Sequence, residues 1–182
     1  MFTPSASAGE TRRFAIFGEG VETAQAGLSR RAAKALKSAG IEPIVLSFQG
    51  GNGPLLDALI PESFRRITLV TTFEGDFTPE IDVVHARDRT EARAQTIRRA
   101  DALLGLPSGL GPVSDLYLCW ADARHAGRTL PVGLLNHKRA FEVVRGFIGD
   151  VASVGLERTD HLIQFSDSVE DLIARLRAMC GQ

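Results

Sequence analysis

The sequence has little of what several protein classes require. It holds only two cysteines, Cys119 and Cys180, in no CxxC or Cys/His pattern, so neither a metal site nor a disulfide framework is predicted. No apolar run reaches the roughly 18 residues that a membrane span needs. Since the first dozen residues also lack the apolar segment of a signal peptide, we expect a cytoplasmic protein with no membrane partner.

An excess of either charge is missing as well. Lysine and arginine together number 21 against 22 aspartate and glutamate residues, which gives a formal net charge of −1 at pH 7. Because no basic field would draw such a chain onto a phosphate backbone, nucleic acid is not expected as a partner, and the ligand should be small. With 182 residues, of which 44% are hydrophobic, the chain is long enough to bury the core of one domain.

Short apolar runs alternate with longer amphipathic segments from residue 13 onwards. Residues 1–12 are small and polar and are expected to form a flexible leader, and residues 13–182 a single Rossmann-like domain. The alternation predicts an α/β fold with a doubly wound parallel sheet. The predicted strands are 14–17, 43–48, 67–71, 81–86, 100–107, 130–136 and 161–166, and the predicted helices are 23–39, 53–59, 88–99, 112–125, 138–153 and 169–179.

Three of the predicted strand-to-helix loops are rich in glycine. In an open parallel sheet such loops meet at the carboxyl ends of the strands, where ligands bind. Glycine allows the backbone to approach a ligand closely, and a helix N-terminus offers unpaired N–H groups to a phosphate. Each loop alone could be only a tight turn, but together they favour a nucleotide or phosphosugar site. The glycines predicted to bind the ligand are Gly18, Gly20, Gly50, Gly51, Gly53, Gly109 and Gly111.

A carboxylate follows the third of these loops. Asp115 falls one turn into the helix that Pro112 is expected to open, and its spacing alone leaves two alternatives, a pocket-facing group or a simple complement to the helix dipole. Tyr117 and Trp120 on the same helix could stack a base or could belong to the core or an interface. The GxGxxG, GxxxxGK[ST] and GxSxG motifs are all missing, so classical dinucleotide, P-loop and hydrolase-elbow sites have no support.

The segment LPSGLGPVSDLYLCWADARHAGRTLPVGLLN, residues 106–136, resembles the LONELY GUY family of cytokinin riboside 5′-monophosphate phosphoribohydrolases. That family carries a PGGxGTxxE motif after a strand, then a WAQLG stretch and a strand reading PVGLL. With less specificity, FGEG and FQGGNGPLLDAL match its earlier loops, so the resemblance runs from about residue 13. It implies a Rossmann-like fold, a homodimer with Leu116, Tyr117 and Trp120 near its interface, and hydrolysis of a nucleoside 5′-monophosphate without metal or cofactor.

The family motif is altered at several positions in this chain. Asp115 stands at the catalytic glutamate, and Ala92 stands where the family has its catalytic arginine, so Arg89 or Arg93 is the candidate for that guanidinium. The remaining changes are Ser108 at the second motif glycine, Pro112 at the threonine, and Glu19 at the pocket-facing serine of the first loop.

These changes leave two interpretations. The first is a divergent phosphoribohydrolase that releases a free base and ribose 5-phosphate, with Asp115 and Arg89 or Arg93 as catalytic residues and with Glu19 and Ser108 beside the loop glycines. The second is a catalytically silent nucleotide- or phosphosugar-binding protein of the same fold.

Overall fold

Seven strands and six α-helices alternate in the computed structural model, which describes residues 11–18, 23–48, 50, 53–154 and 160–180. The strands are β1 (Arg13–Phe17), β2 (Glu42–Ser47), β3 (Ile67–Thr71), β4 (Ile81–His85), β5 (Ala102–Gly105), β6 (Val132–Leu135) and β7 (Ile163–Ser166). The helices are α1 (Thr23–Ser38), α2 (Gly53–Leu59), α3 (Arg89–Arg99), α4 (Leu110–His125), α5 (Glu142–Ser153) and α6 (Val169–Met179).

All seven strands are parallel, and they pair in the order β4-β3-β2-β1-β5-β6-β7. The chain therefore builds one half of the sheet outward from β1 and then returns to build the other half from β5. The predicted doubly wound parallel sheet is confirmed. The strand order reverses between β1 and β5, and such a switch point is where the loops at the carboxyl ends diverge and leave a crevice.

Each face of the sheet carries its own apolar layer. In β1, Phe14 and Ile16 pack into the layer with α1, α2 and α6, while Ala15 and Phe17 pack into the layer with α3 and α4. A strand that is covered on both faces is apolar at successive positions rather than at alternate ones, which is why FAIF marked it in the sequence. Neighbouring helices thus cover the whole centre of the sheet.

Helix α6 shows how closely the layers pack. Its apolar residues Val169, Leu172, Ile173 and Leu176 form a buried stripe, with Leu172 and Leu176 fully buried. These two leucines lie against Gly133 in β6, where an added Cβ would be 2.7 Å from Leu176 Cδ1 and 3.0 Å from Leu172 Cγ. The absence of a side chain at Gly133 therefore sets how near α6 lies to the sheet.

The predicted helix 138–153 is wrong at its start. Residues His137–Arg139 form a separate short 3-10 turn, with Lys138 and Arg139 in the left-handed region at φ 52° and 62°. The Asn136 side chain accepts a hydrogen bond from the Phe141 backbone N–H at 2.9 Å, which holds the turn and delays α5 until Glu142. A further 3-10 turn, Asp160–Leu162, shortens β7 at its beginning.

The boundary of the expected leader at residue 12 stays a prediction, since residues 1–10 lie outside the described part of the chain. In the part that is described, every helix is too short or too polar to cross a membrane.

Candidate functional site

A small pocket of about 120 Å³ opens at the carboxyl ends of β1 and β2. It lies beside the switch point, where the loops after β1, β2 and β5 face one another. The residues that line it come from both strand ends, from the starts of α2 and α3, and from the first two turns of α4: Ile16, Phe17, Gly18, Val45, Leu46, Ser47, Phe48, Leu55, Arg89, Gly111, Pro112 and Asp115.

Asp115 lies in the second turn of α4 and faces this pocket. The side chain is half-buried, and this burial raises its pKa above the ordinary value, against the opposing charges of Arg89 and Arg93. The alternative left open by the sequence, a carboxylate that only complements the helix dipole in solvent, does not describe this position. A partly desolvated carboxylate near two guanidinium groups can hold a positive charge or take up a proton.

Arg89 is the first residue of α3, and the start of that helix is firmly set. The Asp88 side chain caps the helix by accepting a hydrogen bond from the Glu91 backbone N–H at 2.8 Å. The Glu91 carboxylate in turn accepts from the backbone N–H of Arg87, the residue before the cap, at 3.0 Å, so a second hydrogen bond holds the chain at the start of the helix. The guanidinium of Arg89 then lies over the ring of Phe48, with 4.3 Å from its carbon to the ring centroid. A cation is thereby held at the pocket wall.

Arg93 lies one turn further along α3 and has a different environment. Its Nε donates to Asp122 Oδ2 at 2.9 Å, and its side chain is only 15% exposed. This ion pair links α3 to α4, and Arg93 is not among the residues that line the pocket. Ala92, which stands where the related family has its catalytic arginine, is fully buried in the core. Of the two candidate arginines, Arg89 lies in the pocket and Arg93 lies behind it.

The loop after β1 packs against the loop after β5 at Gly18, a residue without a side chain. Gly18 has φ +154°, and an added Cβ would be 2.7 Å from the Leu106 Cβ. The loop after β1 therefore packs on the loop after β5 only because residue 18 is glycine. Glu19 and Gly20, also predicted for this loop, lie outside the described residues.

No side chain caps the N-terminus of α4 in the described part of the chain. Gly109 is the N-cap and has no side chain with which to cap the helix, and a Cβ added at Gly109 or Gly111 would meet no described atom within 4 Å. The backbone N–H groups of this turn are therefore open to a ligand. Nearby, the Ser108 hydroxyl is buried and has no hydrogen-bond partner in the described part of the chain.

The second loop is described only in part. Gly53 opens α2 at φ +64°, Gly50 is exposed, and the predicted Gly51 lies outside the described residues. Phe48, which the glycine pattern did not single out, supplies the wall behind Arg89. The sequence signal that could have identified Phe48 is an aromatic residue at the end of a predicted strand, directly before a glycine-rich loop.

Tyr117 and Trp120 do not line this pocket. They are in edge-to-face contact, with ring centroids 6.3 Å apart, and they border an apolar cavity of about 460 Å³ between α4 and α5. A base held in the Asp115 pocket would therefore not stack on either ring. The described residues hold no group of three or more histidine, cysteine or acidic side chains that could bind a metal ion.

No protein-family model matches the chain. A probable cytokinin riboside 5′-monophosphate phosphoribohydrolase from Oryza sativa subsp. japonica is 28% identical over 110 residues. The resemblance to the LONELY GUY family is confirmed. The match covers 59% of this chain and 44% of the rice protein, so the chain spans less than half the length of this LONELY GUY relative.

Solved structures share the fold at low sequence identity. The Moco carrier protein of Chlamydomonas rheinhardtii has a TM-score of 0.63 at 18% identity, with 96% of this chain and 100% of that chain covered. The molybdenum cofactor binding protein of Rippkaea orientalis has a TM-score of 0.65 at 13% identity, with 93% and 98% covered. DNA processing protein A of Helicobacter pylori has a TM-score of 0.52 at 11% identity, with 92% and 81% covered. These likenesses show the fold that the LONELY GUY resemblance implies.

Proposed function

We propose that this protein is a divergent nucleoside 5′-monophosphate phosphoribohydrolase, which hydrolyses the N-glycosidic bond and releases a free base and ribose 5-phosphate. The observation that carries the proposal is that Asp115 and Arg89 line one pocket at the bare N-terminus of α4. A carboxylate, a cation and free backbone N–H groups are the groups that this reaction needs. The match to a probable phosphoribohydrolase from rice supports the reaction class.

Asp115 is proposed to act on the sugar. Cleavage of an N-glycosidic bond develops positive charge on the ribose, and a carboxylate beside the ring stabilises that charge or activates the attacking water. The burial that raises the pKa of Asp115 also removes water from around it, so its interaction with a developing cation is stronger than in solvent. The raised pKa also favours transfer of a proton from that water.

Arg89 and the first turn of α4 are proposed to hold the phosphate. Gly109 and Gly111 leave the backbone N–H groups uncovered, and the helix dipole adds a favourable potential for an anion. The pocket of about 120 Å³ is smaller than the roughly 300 Å³ of a typical small-molecule site. We therefore expect the pocket to hold only the phosphoribosyl part of the nucleotide, with the base extending beyond it.

Incubation of the purified protein with purine and pyrimidine 5′-monophosphates, followed by chromatography for free base and ribose 5-phosphate, tests the proposal. Release from any of them that falls at least 100-fold in Asp115→Asn would support it, since a lost transition-state carboxylate costs on the order of 3 kcal/mol. Hydrolysis that survives in Asp115→Asn would remove Asp115 from the mechanism.

The second candidate function is nucleotide or phosphosugar binding without catalysis. It is favoured by the buried Ala92 at the position of the family's arginine and by Pro112 at that of its threonine. Two proteins of the same fold are a molybdenum cofactor carrier protein and a molybdenum cofactor binding protein, so this scaffold also serves cofactor binding. A thermal shift caused by a nucleotide or by ribose 5-phosphate, without any product, would select this candidate.

We also propose that the protein is a homodimer. Large apolar side chains are exposed around the cavity between α4 and α5, with Leu110 90%, Tyr117 54%, Val143 87% and Phe147 59% exposed. An apolar patch of this kind marks an interface, and a second copy of the chain would cover it. Light scattering on a sizing column should give twice the chain mass for the wild type and one chain mass for Phe147→Glu. A wild-type monomer at micromolar concentration would contradict the proposal.

A further inference from the structure

The aromatic ring of Phe73 packs against the backbone of two glycines, Gly50 and Gly75. A Cβ added at Gly50 would be 2.7 Å from Phe73 Cζ, 2.9 Å from Cε1 and 3.1 Å from Cε2, which puts Gly50 over the face of the ring. A Cβ added at Gly75 would be 2.7 Å from Cε1. A methyl group at either position would displace the ring.

The position of Phe73 is set by the end of β3. Its backbone N–H donates to Thr71 Oγ1 at 3.0 Å, and Thr71 is fully buried in the sheet. The Thr71 carbonyl also accepts from the Ala86 backbone N–H at 2.9 Å, which ties this strand end to the segment after β4. These hydrogen bonds fix the backbone of Phe73, so its ring can hold a neighbouring loop in place.

Gly50 lies between two segments that line the pocket. Phe48, two residues before it, stacks with Arg89, and Leu55, five residues after it, is a pocket residue in α2. Contact between Gly50 and the ring of Phe73 therefore holds the backbone at residue 50, close in the chain to both. The ring is nevertheless 43% exposed, so the contact gains only part of the burial that a core phenylalanine would have.

From this geometry we propose that Phe73 is a positioning residue for the phosphoribosyl pocket, acting through Gly50 on the loop after β2. This inference rests on the proposed function, since it assigns Phe73 a part in ligand binding at that site. It also gives Gly50 a role different from the phosphate contact predicted from the sequence. Glycine is needed at residue 50 to admit the aromatic ring.

The test compares the wild type with Phe73→Ala and with the conservative variant Phe73→Tyr, which keeps the ring face. Hydrogen exchange measured by mass spectrometry should accelerate in Phe73→Ala over residues 48–55 and stay unchanged over residues 106–115, which serve as an internal control. Phe73→Tyr should exchange like the wild type. Unchanged exchange over residues 48–55 in Phe73→Ala would overturn the inference.

Binding of AMP and of ribose 5-phosphate, measured by calorimetry on the same three proteins, supplies the second readout. If Phe73→Ala lowers the population of the binding-competent loop to a tenth, its Kd should rise roughly tenfold, and Phe73→Tyr should restore it. Wild-type binding that Phe73→Ala leaves intact would overturn this inference alone. A wild type that binds neither compound, and hydrolyses no nucleotide, would overturn the proposed function and this inference with it.

Gly50→Ala provides an independent variant, because its methyl group should displace the same ring. Its effect on Kd should match that of Phe73→Ala, and the double variant should be no worse than either single one. Additive losses in the double variant would contradict a shared action of the two residues.

Discussion

Arg89 and Phe48 are stacked at the pocket wall, with the guanidinium carbon 4.3 Å from the ring centroid. The contact joins the first turn of α3 to the residue that follows β2, and both residues line the same pocket as Asp115 of α4. A cation held against an aromatic face loses less conformational freedom when an anion arrives. This contact would support the phosphate-binding role proposed for Arg89.

Arg89→Ala and Arg93→Ala form a matched pair on one helix. The first should affect ligand binding and the second the stability of the fold. Arg89→Ala should weaken nucleoside monophosphate binding at least tenfold, because a charge-assisted hydrogen bond contributes roughly 1.5–3 kcal/mol, and should change stability by less than about 0.5 kcal/mol. Arg93→Ala breaks the ion pair with Asp122 and should lower the free energy of unfolding. Calorimetry and urea denaturation on both variants measure the two effects. Equal losses of affinity would place the phosphate contact on neither residue alone.

Asp115→Asn should abolish hydrolysis and yet stabilise the fold at neutral pH. The folded-state pKa of Asp115 is raised above that of the unfolded chain, so the ionised group costs stability once the pH rises past its ordinary value of 3.8. The neutral amide escapes this cost. We therefore expect Asp115→Asn to have the higher Tm at pH 7.

The pH dependence supplies the check on Asp115. The difference in Tm between Asp115→Asn and the wild type should be present at pH 7 and should vanish below pH 3.8, where the carboxyl is protonated in both folded and unfolded chains. Asp122→Asn is the control, because it breaks the pair with Arg93 and should destabilise at pH 7. A wild type more stable than Asp115→Asn at pH 7 would contradict the assigned burial.

The fold followed from local sequence patterns because nearly every element is marked by its own residues. The run FAIF in β1 is apolar throughout, β3 is apolar apart from the buried Thr68 and Thr71, and α6 carries its buried stripe at helical spacing. The start of α5 was missed because a side chain decides it: Asn136 binds the Phe141 backbone and holds Lys138 and Arg139 in left-handed turns. The periodicity of apolar residues in the sequence does not reveal a hydrogen bond of this kind.

The candidate site was predictable only at the level of loops. Parallel strands bring their carboxyl ends together, so the glycine loops were expected to meet, and Gly18 and Gly111 do line one pocket. The direction of Asp115 depends on where α4 begins, which is Leu110 rather than the expected residue 112. The choice of Arg89 over Arg93 as the pocket residue depends on Asp122, which pairs with Arg93. Asp122 is 29 residues from Arg93 in the chain and is adjacent to it only after folding.

Arg128→Ala should destabilise the protein through the end of α3. The Arg128 guanidinium donates to the backbone carbonyls of Ile97 and Ala100, the latter at 3.0 Å, and so satisfies groups that the helix end leaves without partners. Loss of these bonds should lower the free energy of unfolding by roughly 1–3 kcal/mol in urea denaturation. Arg128→Lys should recover part of this, and Arg98→Ala, an exposed cation at the same helix end, should cost less than about 0.5 kcal/mol. Equal effects of Arg128→Ala and Arg98→Ala would mean that only the charge matters.

The ion pair between α1 and α6 should make stability depend on acid pH. Arg31 donates to both carboxylate oxygens of Glu170, at 2.7 and 3.0 Å, and these bonds lower the pKa of Glu170 from 4.5 to about 2. A depressed folded-state pKa contributes stability that is fully present above pH 4.5 and is lost as the pH falls towards 2. Both side chains are at least half exposed, so solvent and salt screen the pair and the contribution at pH 7 should be small.

Arg31→Ala tests this pair most directly. In an NMR titration the Glu170 carboxyl should return towards a pKa of 4.5, because the first cause of its depression is the hydrogen bond from Arg31. The stability difference between the wild type and Arg31→Ala should shrink between pH 4.5 and 2 and also in high salt. Arg30→Ala removes the same charge from the neighbouring exposed position and should leave the Glu170 titration unchanged. A Glu170 pKa that stays near 2 in Arg31→Ala would assign the depression to the hydrogen bonds from the Glu170 backbone and from the Ser168 hydroxyl, which donates to the same carboxylate at 2.9 Å.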